Sequence, residues 1–387
     1  MDAISKYDLI NISKNEFEKQ FSIGGDSVAL APGRINFIGE HTDYNLGLAM
    51  PIAINRWICT VIRKRNDRII NIYSSNFQEN ICTNLDNLKS NKLWKKYILG
   101  CIQIIKDRFN IQTGIDVLIK GNIPIGFGFS SSAALEISLL GALFSTYNLK
   151  INYRLILKLS NEVENNYIGI KSGMLDQYTS LFSKRYTPLV IDFYSLNHTY
   201  TNMNIKNGTW VIINSMVDRK LIKSKYNDRV NECSRGLKKI NKFSGKSMMM
   251  NEITLQDLKI IKDDIVLYNR LYHVVSENKR VISMQKSLDE GNLYDIGNIL
   301  NQSHESLSKY YDVSCSEIES IIKISNNQKG FYGGRIMGGG FGGCTISLVE
   351  TSKKDIFIEN VISSFFNEYH HKIKVESVDF SDGLEVF

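Results

Sequence analysis

Between positions 32 and 45 the chain reads Pro-Gly-Arg-Ile-Asn-Phe-Ile-Gly-Glu-His-Thr-Asp-Tyr-Asn, which puts Arg34, Glu40, His41 and Asp43 within fourteen residues. A sugar hydroxyl both donates and accepts hydrogen bonds, and carboxylates make charge-assisted bonds to it, so this crowding of donors and acceptors suits a hydroxyl-rich ligand. A short apolar run at 28–31 precedes the motif, Pro32-Gly33 reads as a turn, and Asn45 and Gly47 are the next breakers. Any one of these residues alone reads equally as part of a solvated loop. The case for a sugar pocket rests on what accompanies them.

A second motif, Pro124-Ile125-Gly126-Phe127-Gly128-Phe129-Ser130-Ser131-Ser132-Ala133-Ala134, follows a strand pattern at 116–121 and runs into an apolar helix pattern at 135–144. Glycines let the backbone approach a bulky anion, serines cap the helix and supply hydroxyls, and free N–H groups at a helix start attract phosphate. The pattern is not a Walker loop, because no lysine follows the glycines, and it lacks the third glycine of a dinucleotide fingerprint. Phosphate charge must then be met by backbone dipoles, a metal and a distant cation, for which Arg34 is a candidate.

The third group is Glu164, Gly169, Gly173 and Asp176-Gln177. The glycines should end the helix that carries Glu164 near Gly169 and begin a new element near Gly173. One carboxylate can then hold magnesium while the other faces a hydroxyl. Magnesium takes few protein ligands beside phosphate oxygens and water, so Ser132 and Glu164 would suffice. A final cluster, Gly338-Gly339-Gly340-Phe341-Gly342-Gly343, reads as a loop that packs against the phosphate loop and the sugar segment, with a plain hairpin as the alternative.

The elements that must position these groups are legible as alternation. Strand patterns fall at 54–62, 68–74, 114–120 and 188–193, and helix patterns at 93–108, 131–147 and 153–168. The second half opens with a strand at 209–214, turns strongly helical with a helix ending at 312–325, and returns to strand character at 331–337 and 344–349. A helix at 353–369 and a strand near 373–378 close it. We expect an α/β (α+β) fold of two domains, 1–195 and 196–387, with a boundary near 195–206.

At 387 residues the chain can bury two cores, and 43% hydrophobic with 22% charged residues excludes wholesale disorder. A formal charge of +7, from 47 basic against 40 acidic residues spread along the chain, provides no localised basic stripe for nucleic acid. The six cysteines form no zinc-like spacing, and no stretch has the length of a signal core or membrane span, so an unexported, cytoplasmic protein with reduced thiols and no membrane partner is expected.

In this order, the motifs resemble those of the galactokinases, a branch of the GHMP small-molecule kinase family, from about Ala31 to Glu350. The 33–45 segment is similar to the galactokinase signature almost residue for residue. The phosphate loop and late glycine cluster are similar to those of the wider family and specify only phosphoryl transfer from ATP. The resemblance implies a two-domain fold with the active site in the inter-domain cleft, and transfer of the γ-phosphoryl group of ATP to the anomeric hydroxyl of α-D-galactose, giving galactose 1-phosphate and ADP. That reaction is the first committed step of galactose catabolism by the Leloir pathway.

Carried over by position, Asp176 is implied as the base for the anomeric hydroxyl and Arg34 as the stabiliser of the moving phosphoryl group. Glu40, His41, Thr42, Asp43, Gly173 and Tyr226 are implied to bind galactose. Gly126, Phe127, Gly128, Phe129, Ser130, Ser131 and Ser132 would wrap the triphosphate, with Trp94 near adenine and Mg2+ on Ser132 and Glu164. The resemblance alone promotes Tyr226, one tyrosine among nineteen. Phe127 and Phe129 depart from the family's loop, where a small or variable residue and a leucine are usual. A monomer binding galactose and MgATP is expected. Two rivals remain: a silent galactose and ATP sensor that binds a transcriptional repressor, which the complete Ser132-Ala133-Ala134 argues against, and a kinase for N-acetylgalactosamine or arabinose.

Overall fold

The computed structural model describes residues 4–169, 173–217 and 222–387. Its strands are β1 (Ser27–Ile38), β2 (Leu48–Lys64), β3 (Ile69–Ser74), β4 (Glu79–Asn84), β5 (Ile115–Gly121), β6 (Leu189–Asp192), β7 (Asn197–Tyr200), β8 (Gly208–Asn214), β9 (Phe331–Met337), β10 (Cys344–Glu350), β11 (Lys374–Ser377) and β12 (Glu385–Val386). Its α-helices are α1 (Lys6–Phe21), α2 (Leu93–Phe109), α3 (Ser131–Thr146), α4 (Tyr153–Val163), α5 (Leu175–Phe182), α6 (Ile222–Ser244), α7 (Ile265–Glu290), α8 (Leu293–Lys309), α9 (Ser316–Asn326) and α10 (Lys354–Tyr369).

Eight strands make the first sheet in the order β12-β1-β2-β5-β3-β4, with β6 and β7 continuing from β2, and four make the second in the order β11-β8-β10-β9. Among the described residues pairing is antiparallel except between β3 and β5. Alternation along β1 divides its side chains between two cores, as a period of two requires. Ala29 and Ala31 face α2 to α5, whereas Val28 and Leu30 face Leu9, Ile10 and Phe17 of α1. Further along, Ile35 and Phe37 join Trp210, Ile346 and Leu348 of the second sheet and Val281, Met284 and Leu300 of α7 and α8. The sugar motif thus grows directly out of the core that both sheets share.

Three expectations are corrected. Pro32-Gly33 is no turn: β1 runs through it as one strand with a register shift against β2 between Pro32 and Arg34. Gly33 is required there because a Cβ would meet the Phe129 carbonyl oxygen at 2.5 Å, while the next amide, Arg34 N–H, donates to that oxygen at 3.1 Å. The helix expected at 153–168 ends as α-helix at Val163 and completes a widened, π-type turn over Glu164–Ile168 before Gly169 at φ +76°. The helix expected from 312 starts only at Ser316, because Asp312 lies at φ +56° in the connector with its carboxylate held by Arg229 at 2.8 Å. Elements α1, β4, β7 and β12 had no strong sequence pattern. β12 is two residues long and is defined by pairing with β1 alone.

Candidate active site

Past the end of β1 the backbone bends through Gly39 at φ +92° and His41 at φ +61°. Gly39 has no room for a side chain, since a Cβ would lie 2.5 Å from the Leu48 carbonyl oxygen. The bend turns Glu40, His41 and Asp43 toward one cleft of about 350 Å3, lined also by Arg34, Gly173, Asp176, Tyr226, Gly338 and Gly339. Each polar group is held from behind. Glu40 accepts the Gly338 amide at 2.8 Å and Arg335 Nη2 at 3.2 Å. His41 Nδ1 lies 2.7 Å from the Tyr44 hydroxyl, and burial together with nearby His273 and Arg229 lowers its pKa to about 3, so the ring is neutral.

Asp43 is half-buried, and desolvation with the Asp176 and Glu40 carboxylates nearby raises its pKa to about 7. Gly173 makes room for it: a Cβ on Gly173 would fall 1.7 Å from Asp43 Oδ2. The half-buried ring of Tyr226 closes the pocket, its centroid 5.4 Å from His41 and 5.3 Å from Tyr44. Thr42 is placed differently. Its buried hydroxyl lies within hydrogen-bond reach of the Gly39 and Leu48 carbonyls, at 2.8 and 2.7 Å, so its side chain braces the bend beneath the cleft.

Arg34 and Asp176 join this cleft to the phosphate loop. Arg34, on β1, donates from Nε to Asp176 Oδ1 at 2.8 Å, approaches the same oxygen through Nη2 at 2.7 Å, and donates from Nη1 to the Gly128 carbonyl at 2.6 Å. Asp176, in the first turn of α5, accepts the Ser130 hydroxyl through its other oxygen. Segments 94 and 142 residues apart from Arg34 therefore meet at one guanidinium.

Within the phosphate loop, Gly126 at φ +89°, Gly128 at φ +68° and Ser130 at φ +58° alternate left-handed backbone with ordinary residues. Such an alternation points successive amides toward a common centre. Ser130 occupies the N-cap position of α3 without capping it, because its hydroxyl goes to Asp176 instead. The first N–H groups of that helix are left for an anion. Phe127 and Phe129 send their side chains the other way, stacked at 5.3 Å in the core shared by the two sheets, so only their backbone faces the loop's concavity. The glycine-rich 338–343 loop reaches both other motifs: Gly338 donates to Glu40, and Cys344 just beyond it bonds the Phe127 carbonyl at 3.0 Å.

A second cavity, of about 370 Å3, opens on the other side of this helix start, lined by Ser131, Ser132, Trp94, Phe77, Tyr97 and apolar side chains of β2 and β5. Its walls are mostly apolar, with the Phe77 and Trp94 rings 5.2 Å apart and tilted by 31°. Glu164 is buried on the widened turn after α4. It adds to burial in raising the pKa of Tyr97 and of Glu136, a fully buried carboxyl on α3 whose other neighbour is Gln177 at 3.3 Å. Ser132 and Glu164, which both act on Tyr97, supply hard oxygen donors of the kind that fit a small divalent cation taking its remaining ligands from phosphate and water.

The structure thus brings Arg34, Glu40, His41, Asp43, Gly173, Asp176 and Tyr226 around one cleft and Trp94, Ser131 and Ser132 around the adjoining pocket. Sequence reasoning missed Arg335, fully buried between Glu40 and the carbonyls of Phe37 and Ile336, and it missed Glu136. A charged residue next to each glycine-rich motif, in an otherwise apolar strand or helix, is the signal that could have found them.

Comparison with known proteins accords with this geometry. The model of the GHMP kinases N terminal domain matches residues 96–184, that of the galactokinase galactose-binding signature matches residues 15–64, and that of the GHMP kinases C terminal domain matches residues 284–368. A galactokinase from Clostridium acetobutylicum is 34% identical over 98% of this chain and 99% of its own length, and one from Clostridium tetani is 38% identical over 92% of each. The crystal structure of Lactococcus lactis galactokinase complexed with galactose superposes with a TM-score of 0.91 at 31% identity, covering 97% of this chain and 99% of that one. A mevalonate kinase at 21% identity and TM-score 0.65 shares the fold. The chain belongs to the galactokinase family, within the GHMP kinases.

Proposed function

We propose that this chain phosphorylates the anomeric hydroxyl of α-D-galactose with MgATP, and that the reacting groups meet at the Arg34–Asp176–Ser130 junction. The observation that carries the reading is the contact of one guanidinium with both the carboxylate at the sugar cleft and the backbone of the phosphate loop. In the transfer, the anomeric oxygen forms a bond to the γ-phosphorus, the bridging oxygen leaves with ADP, and the hydroxyl proton passes to Asp176 Oδ1 or Oδ2. Arg34 balances charge on the moving phosphoryl group, and little nucleophile activation is required beyond alignment.

Glu40 and Asp43 accept hydrogen bonds from sugar hydroxyls, while His41, Tyr226 and the Gly338–Gly339 backbone complete the pocket. Gly126 to Ser132 cradle the triphosphate through backbone amides, and adenine stacks on Trp94 in the apolar pocket. Magnesium on Ser132 and Glu164 would neutralise phosphate charge when bound. We further infer two structural domains, 1–195 and 196–387, supplying opposite walls of the cleft in a monomer, with the β7 and β12 strands of the second stretch returning to the first sheet. Among the described residues no helix is long and apolar enough to cross a membrane, which is compatible with the cytoplasmic placement we propose.

ADP release measured across galactose, N-acetylgalactosamine, arabinose and glucose tests the reading. Galactose should lead in kcat/KM by at least about tenfold, the scale on which pocket contacts discriminate neighbouring sugars. Binding of galactose and ATP without sustained ADP release would support the sensor reading instead.

A further inference from the structure

Behind His41 runs a buried file of hydrogen-bonding groups that the reaction does not use. His41 Nδ1 lies 2.7 Å from the Tyr44 hydroxyl, that hydroxyl 2.9 Å from the Tyr311 hydroxyl, and the Tyr311 hydroxyl 3.3 Å from Cys233 Sγ. Tyr311 lies in the connector after α8, and its ring sits 4.8 Å from His41 and 4.5 Å from His273. Tyr311 and Cys233 are both buried. At the far end, His41 Nε2 is buried with no partner among the described residues, on a residue that lines the cleft.

Such a file can be filled with hydrogens in only two consistent ways. Either every group donates toward His41, leaving Nδ1 as acceptor and Nε2–H as donor into the cleft, or every group donates away from it and Nε2 is an acceptor. Two considerations select the first. A thiol sulfur is a weak acceptor and a neutral imidazole nitrogen a strong one, so the two phenol hydrogens are better placed toward His41, with the Cys233 S–H shared between Tyr311 and the neighbouring Asn45 side chain. The Tyr311 hydrogen then goes to Tyr44, and the Tyr44 hydrogen to Nδ1. The second concerns the sugar. Glu40, already accepting from Gly338 and Arg335, presents acceptors and no hydrogen to the cleft, so hydroxyl oxygens in the same pocket need donors from elsewhere.

We propose that Tyr311 is a positioning residue for sugar recognition: its hydroxyl, fed by Cys233 and acting through Tyr44, fixes neutral His41 in the Nε2–H form that donates to a galactose hydroxyl. Tyr311 touches no substrate, and it contributes to binding rather than to phosphoryl transfer. The assignment rests on the galactose reading above for its consequence and for the second of these considerations, and on the hydrogen-bond file for the first.

The test uses the full chain with nitrogen-15-labelled histidine, assigned against His41→Gln, together with steady-state kinetics of Tyr311→Phe and Tyr44→Phe. Wild type without sugar should show a single His41 form protonated at Nε2. Each variant should show a mixture of both forms, with the galactose KM raised about tenfold, the scale of one lost hydrogen bond, and with kcat and the ATP KM within about twofold. If one variant folds poorly by its thermal midpoint, the other decides. A wild-type His41 protonated at Nδ1 overturns the proposal, as does an unmixed spectrum or an unchanged galactose KM in the folded variants. A wild type that turns over no galactose defeats the proposed function, while the His41 spectrum still decides the tautomer.

Discussion

The polar cleft and the adjoining apolar pocket are of similar size, about 350 and 370 Å3, yet they are built on opposite plans. In the cleft nearly every working side chain is polar and braced by a second polar group: Glu40 by Arg335, Asp176 by Arg34 and Ser130, His41 by Tyr44. The apolar pocket is walled by Leu93, Trp94, Ile98 and Ile123, with Ser131 and Ser132 at its edge. A ligand made of hydroxyls has to be met by donors and acceptors aligned before it arrives, whereas a flat base needs area and a surface to stack on. Changes in the cleft should therefore be unforgiving and specific to sugar, and changes in the pocket graded and specific to nucleotide.

The comparison can be broken most sharply at the junction. Asp176→Asn keeps the shape but loses the proton acceptor, and turnover should fall at least on the order of a hundredfold while calorimetry still detects galactose binding. Near-normal turnover would remove Asp176 from its role. Next in size, Gly173→Ala places a methyl group where Asp43 Oδ2 now sits. The galactose KM should rise by about tenfold or more as the carboxylate is displaced, with the ATP KM unmoved. An ATP effect of equal size would mean that Gly173 serves the fold as a whole. In the apolar pocket, Trp94→Ala should raise the ATP KM by about tenfold, in line with the loss of one stacked ring, and leave the galactose KM alone. The reverse pattern would place adenine elsewhere.

The smallest effect is on stability against pH. Asp43, raised to about 7 in the folded chain from 3.8, holds more protons folded than unfolded between those values. Its contribution to stability is therefore present at low pH and lost as pH rises through 7. Asp43→Asn removes that loss. Its thermal midpoint should match wild type near pH 4 and exceed it by a few degrees at pH 8, with buffer background subtracted. A gap that stays constant with pH would show that the carboxyl is not perturbed in this way.

Which parts of this were legible in the sequence follows the same division. The cleft's residues lie close together in the chain, on a motif whose density of charge has little other use, so Arg34, Glu40, His41 and Asp43 could be named from spacing. Their braces could not, because Arg335 lies 295 residues from Glu40 and Tyr311 lies 267 from Tyr44, and they become partners only when the second sheet and the connector after α8 pack against β1. Phe127 and Phe129 show a related limit: the loop's position was readable, but which way its aromatic side chains point depends on the core that receives them. Pro32-Gly33 misled for a local reason, since the same glycine that signals a turn also permits the close passage of the Phe129 carbonyl. Among the elements, α1 escaped notice because its polar residues outnumber its core face of Leu9, Ile10 and Phe17, and β12 because two residues carry no periodicity.

The central claim is that a hydroxyl held in the polar cleft is aligned with a phosphate held by the neighbouring loop, and the identity of the product tests it most directly. Phosphorus NMR of the reaction with galactose and MgATP, run beside the same reaction with 1-deoxygalactose, reads which oxygen has been modified and whether ADP appears without one. The account predicts galactose 1-phosphate of α configuration in equal amount to ADP, and no ADP above background with the deoxy sugar. Phosphate on any other oxygen, or ADP released equally with 1-deoxygalactose, would contradict it.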